Sequence, residues 1–182
     1  SSPKEKGQSQ IENSASKAKA FIRYHVECPH CHEFEPLEWG GAKATYGFKW
    51  DKGKPDTVQY FCKHCGAGWG NGQLYEASLN GYWLDKDTGY KTKNGLEWTK
   101  DGEKCTPPRH VAAHIWSAYS PFTTWREIVE DWIDSQSDHL RLKTFINTTL
   151  GETYEPTEGH QIKAAEIKAR PVEDLPEILV IT

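Results

Sequence analysis

Four cysteines are spaced for metal chemistry: Cys28-Pro29-His30-Cys31 and Cys62-Lys63-His64-Cys65. Each Cys-x-x-Cys pair puts two sulfurs on one tight turn, and two such turns can close a tetrahedral four-thiolate shell around zinc. A shell filled by four sulfurs leaves no open position for a catalytic water, so such a site holds a fold and performs no reaction. His30, His32 and His64 are alternative ligands by residue type, but four sulfurs already satisfy the ion. Cys-Pro-His-Cys also occurs in thiol–disulfide oxidoreductases, where a helix N-terminus activates the first thiol. Here Pro36 and the strand-like stretch 34–39 leave little room for that helix, and the second cysteine pair would go unexplained. A rubredoxin-like iron site uses the same four ligands, and zinc is favoured because no other redox machinery is visible. Cys105 stands alone beside Pro107 and Pro108 and reads as an ordinary free thiol.

The elements that position the sulfurs follow from local pattern. Residues 24–27 lead as a strand into the first pair. From 44 to 50 the even positions are Ala44, Tyr46, Phe48 and Trp50, a period of two that marks a strand with one covered face. Residues 51–56 have turn composition, and 57–61 return to the second pair, so a β-hairpin is expected to bring the two turns together. Gly66 suits the backbone of a metal knuckle, whereas His32 holds the matching place after Cys31.

Further along, Ser9-x-x-Glu12 predicts a capped short helix, residues 73–80 one or two helical turns ending at Gly81, and 111–116 a strand. Residues 85–109 are rich in Asp, Lys, Gly, Thr and Pro and are expected to form a long exposed loop. Thr124-x-x-Glu127 is a capping box, after which Trp125, Ile128, Val129, Trp132 and Ile133 form one apolar stripe. A second helix from about Asp138 carries Leu142, Phe145, Ile146 and Leu150 and stops at Gly151. The short connection predicts an antiparallel helical hairpin. Residues 155–176 form a polar connector, and 177–182 an apolar strand-like run.

The predicted fold class is therefore α+β: a zinc-ribbon-like small β module on the four-cysteine site, then the helical hairpin and a linker. Its expected divisions are 1–20, 21–110, 111–154 and 155–182. Composition narrows the function. The 8 Trp, 8 Tyr and 6 Phe argue against disorder. No apolar stretch approaches the ~18 residues of a membrane span, which points to a soluble cytoplasmic protein without a membrane partner. Net charge is −4, and residues 21–70 hold six basic and six acidic side chains, so strong autonomous DNA binding by the ribbon is disfavoured. Phosphate-loop, nucleophile-elbow and His-Glu-x-x-His motifs are absent from the sequence.

Several segments together carry a resemblance. They are Ser2-Pro3-x-x-x-Gly7-x-Ser9-x-Ile11-Glu12, Arg23-Tyr24-x-Val26-x-Cys28-Pro29-His30-Cys31 and Leu37-Glu38-Trp39. Ala118-Tyr119-Ser120-Pro121-Phe122-x-x-Trp125 and Leu142-Lys143-x-Phe145-x-Asn147-x-x-Leu150-Gly151-Glu152 are the most specific, and Ile178-Leu179-Val180-Ile181-Thr182 closes the series. In this order they resemble the GpA-type (lambda-like) phage terminase large subunits, the DNA-packaging motors. The resemblance implies a parent that uses ATP and Mg2+ to move double-stranded DNA into a procapsid and to cut concatemers in the bacterial host cytoplasm. It places the Walker motifs upstream and the nuclease carboxylates downstream, and makes this chain the non-catalytic middle piece. Family partners would be the small terminase subunit and the portal. Two alternatives stay open: a zinc ribbon that grips duplex DNA, and a docking module for those partners.

Overall fold

The computed structural model describes residues 9–41 and 43–155. Ser9 caps helix α1 (Gln10–Ala15), its hydroxyl accepting from the Glu12 amide at 3.4 Å. Strand β1 (Ala20–Glu27) follows, then β2 (Phe34–Pro36), β3 (Gly47–Asp51), β4 (Lys54–Phe61) and β5 (Gly68–Trp69). Helix α2 (Leu74–Leu79) precedes β6 (Tyr82–Leu84), β7 (Tyr90–Thr92), β8 (Trp98–Lys100), β9 (Glu103–Cys105) and β10 (Val111–His114). Helix α3 (Trp125–Ser135) has both halves of its predicted capping box, with Thr124 and Glu127 each bonding the other's amide. Helix α4 (His139–Thr144) runs into a π turn (Phe145–Thr149), and Gly151 at φ +68° ends it where expected.

These elements make an α+β fold with two sheets. Strand β1 is the hub of the larger one: it pairs in parallel with β10 and antiparallel with both β2 and β6. From β6 the sheet continues as an antiparallel meander through β7, β8 and β9. The smaller sheet is β3–β4–β5, and its β3–β4 hairpin is the one that the sequence placed between the cysteine pairs. Its edges shift. β3 begins at Gly47 rather than at residue 44, and β4 starts at Lys54 because Lys52 and Gly53 alone make the turn.

Residues 85–109 correct the expectation of a long exposed loop. They hold three strands of three residues each, too short to show a repeat in sequence. What orders them is burial of Tyr90 and Trp98 against Ala20 and Ile22 on β1. Asp85 fixes the first turn, its carboxylate accepting from the amides of Phe21 and Asp87, both at 2.9 Å, and from the Thr88 hydroxyl at 2.6 Å. Burial works against its ionised form, but the Thr88 hydroxyl and the amides outweigh this and hold the carboxyl below its ordinary value.

The main core joins both halves of the chain. Phe48, Tyr60 and Trp69 of the small sheet pack directly on Trp125 of α3, and Val26, Leu37, Trp116, Ile128 and Phe145 complete the cluster. Trp125, Ile128 and Val129 of the predicted stripe are fully buried and Trp132 packs at the margin, but Ile133 is 41% exposed. Ser2, Pro3 and Gly7 of the N-terminal motif, the connector beyond residue 155 and the apolar run at 177–182 lie outside the described residues.

Candidate metal centre

Two turns of the same construction face each other across the ends of β1 and β4. In the first, the His32 amide donates to the Cys28 carbonyl at 3.0 Å and the Cys28 amide to the Glu33 carbonyl at 2.9 Å. In the second, the Gly66 amide donates to the Cys62 carbonyl at 2.9 Å and the Cys62 amide to the Ala67 carbonyl at 3.1 Å. The residue after the second cysteine is left-handed in both, with φ +63° at His32 and +71° at Gly66. A strand, not a helix, follows Cys31, which removes the helix N-terminus an oxidoreductase needs.

The four sulfurs, predicted as one set, come together. All lie within 4.8 Å of one another, with Cys28 Sγ 3.9 Å from Cys65 Sγ and Cys31 Sγ 3.8 Å from Cys62 Sγ. A tetrahedral ion with sulfur ligands at ~2.3 Å requires ligand separations of about 3.8 Å. The geometry therefore fits a four-coordinate thiolate-bound ion. Cys28 and Cys62 are buried while Cys31 and Cys65 reach the surface. Burial pushes the Cys62 thiol far above its ordinary value when no cation is present, so a bound cation is what would keep all four sulfurs ionised. The His64 amide points at Cys62 Sγ at 3.3 Å, and the Ala67 amide holds the Cys65 thiol below its ordinary value.

The histidines stay outside this shell. His32 Nδ1 pairs with Glu27 at 2.8 Å, His64 Nε2 lies 3.8 Å from Glu35, and His30 is exposed. Among the described residues, the cluster able to hold a metal contains only the four sulfurs. Glu35 is the residue that sequence reasoning missed. It is fully buried beside the second turn, where its carboxylate accepts from the Lys63 amide at 3.3 Å. Nothing in the sequence separates it from Glu33 and Glu38 except its place in a three-residue strand. Cys105 takes no part; it ends β9, packed against the Tyr90–Trp98 cluster.

The turn backbone yields a prediction. A Cβ at Gly66 would meet nothing within 4 Å, so Gly66→Ala carries only the left-handed backbone cost, about 1–2 kcal/mol. Metal affinity, read by chelator competition, is expected to fall roughly fivefold to thirtyfold. His32→Gly should shift it the other way, by at most about 1 kcal/mol, since the exposed Glu27 pair contributes little. An unchanged affinity in Gly66→Ala contradicts this account of the turn.

Comparison with known proteins gives two family matches. The description "Phage terminase large subunit gpA, ATPase domain" covers residues 1–83, and "Terminase large subunit gpA, endonuclease domain" covers residues 110–180. All four cysteines fall within the first match and both α3 and α4 within the second. The terminase large subunit of Enterobacteria phage P21 is 45% identical over 163 residues, covering 89% of this chain and 25% of that protein. That of Escherichia phage lambda is 40% identical over 171 residues, covering 93% and 26%. The chain thus spans about a quarter of the length of these curated relatives. No solved structure matches it.

Proposed function

The chain belongs to the GpA-type family of phage terminase large subunits, and from that premise we propose that it is a zinc-held connector which joins motor to nuclease and catalyses nothing itself. The observation that carries this reading is the closure of four sulfurs within 4.8 Å by two matching turns. Zinc is the ion that a closed all-sulfur tetrahedral shell favours, and it would be held by Cys28, Cys31, Cys62 and Cys65 as a zinc-ribbon-like module. Bound there, it supplies folding energy and no chemistry. Helices α3 and α4 are the antiparallel hairpin packed on that module.

Rigidity at the junction supports a connector role. Strand β1, inside the ATPase-type match, pairs in parallel with β10, inside the endonuclease-type match. Trp116 Nε1 donates to the Leu37 carbonyl at 2.8 Å, and the Tyr119 hydroxyl accepts from the Leu37 amide at 2.7 Å while donating to the Tyr24 carbonyl at 2.8 Å. The Trp125 amide donates to Asn71 Oδ1 at 3.1 Å. A junction tied by a sheet, a shared core and cross-hydrogen bonds transmits displacement instead of absorbing it. In this reading the parent binds ATP and Mg2+, translocates double-stranded DNA and cuts it. The small terminase subunit and the portal are its partners.

The test uses an intact large subunit of this family carrying Cys62→Ala. ATP hydrolysis is expected to persist while DNA packaging is lost. Packaging at the parental level would contradict the connector, and ATPase or nuclease activity from the present chain alone would contradict its inert role.

A further inference from the structure

We propose that the outer face of the seven-stranded sheet, and not the zinc module, is where this chain meets the phosphate backbone of duplex DNA. The inference rests on the terminase reading above and adds to it the surface involved. Strand register places Arg23, Leu84, Lys91, Thr99 and Lys104 side by side in one row across β1, β6, β7, β8 and β9. Paired residues share a face, so all five side chains project the same way, opposite to Trp83, Thr92 and Trp98. Arg23, Lys91 and Lys104 are exposed, and the two positions between them are uncharged. At the usual interstrand distance the three cations stand about 10 Å apart and span about 19 Å.

The cations on this row are largely uncommitted. Among the described residues neither Arg23 nor Lys91 has a carboxylate within ion-pair distance; their neighbours are the rings of Phe21, 6.0 Å from Arg23, and Tyr82, 3.6 Å from Lys91. Lys104 reaches Glu97 only at 4.0 Å, with both side chains mostly in solvent. The buried Asp85, bonded to the Phe21 amide two residues before Arg23, already spends its charge on amides and the Thr88 hydroxyl. A sheet face with evenly spaced, exposed cations, of which only Lys104 has a carboxylate partner, and with aromatic rings beside Arg23 and Lys91, suits a regular polyanion, read by charge and not by sequence. The chain as a whole carries −4, so this concentration of positive side chains on one face is local. By contrast, residues 24–70, the ribbon region without Arg23, hold five basic side chains against six acidic ones.

The test is fluorescence anisotropy of a labelled mixed-sequence duplex with the zinc-loaded chain, titrated at low and at moderate salt. Replacing Arg23, Lys91 and Lys104 together by Gln is expected to weaken binding at least tenfold at low salt. The salt slope should fall by about 3, one for each lost phosphate contact. Replacing Lys43, Lys52 and Lys54 of the zinc module together by Gln should leave both nearly unchanged. No binding by the parent chain at low salt, equal binding by the sheet variant, loss confined to the ribbon variant, or preference for a single strand of equal length each overturns the proposal. Metal content measured on the same samples keeps the two readings apart: folded, zinc-free protein defeats the connector whatever the DNA result.

Discussion

Cys62→Ala is expected to leave the chain without a cooperatively folded core at 25 °C. Structural zinc in small β modules contributes apparent binding energies of about 10–16 kcal/mol, as large as the ~5–15 kcal/mol net stability of a whole domain. Removing the buried sulfur opens the shell from the inside, where water cannot readily substitute for it. The sequence alone suggests that residues 124–150 would survive as helices when the ribbon unfolds. The shared core revises that. Trp125 packs at 4.9 Å from Phe48 and 5.1 Å from Trp69, so α3 loses its floor together with the ribbon. Amide spectra of Cys62→Ala should therefore lose dispersion in residues 24–69 and in α3. Native dispersion in either region contradicts this coupling.

Trp125→Ala is the second large effect. The side chain is 0% exposed, its ring meets Phe48, Tyr60 and Trp69, and its indole N–H donates to the Ala118 carbonyl at 3.0 Å. Truncating a fully buried Trp costs about 3–5 kcal/mol through lost transfer energy and the cavity left behind. Relaxation into the hole is limited here, because Tyr60 and Trp116 are anchored by hydrogen bonds to the carbonyls of Pro36 and Leu37. The denaturant midpoint of the metal-loaded protein should drop accordingly, with one equivalent of metal retained wherever the variant stays folded. Trp125→Phe keeps most of the apolar volume and should recover more than half of the loss. A change below about 1 kcal/mol for Trp125→Ala would show that the core is not centred on this ring.

What the sequence made legible is what depends on local rules. The cysteine spacing, the hairpin between the pairs, the Thr124–Glu127 box and the stop at Gly151 each require only neighbouring residues. The missing parts depend on distant partners. Three-residue strands at Tyr90, Trp98 and Glu103 carry too few alternations to stand out from a Gly- and Asp-rich loop, and they become strands only because β6 offers β7 an edge and each strand then offers one to the next. Glu35 looks like any surface carboxylate until the second cysteine turn closes over it. Ile133 falls on the right helical face but beyond the reach of the small sheet, so periodicity overstated the width of the buried stripe. His32 adopts the left-handed turn that its residue type disfavours, since two matching knuckles fix the backbone on both sides of the cluster.

The most direct test of the central claim is elemental analysis of the reduced, chelator-free chain, run alongside its amide spectrum. The account predicts one zinc per chain, and loss of the folded spectrum when a strong chelator removes it. A well-dispersed spectrum from protein holding no stoichiometric metal would contradict it.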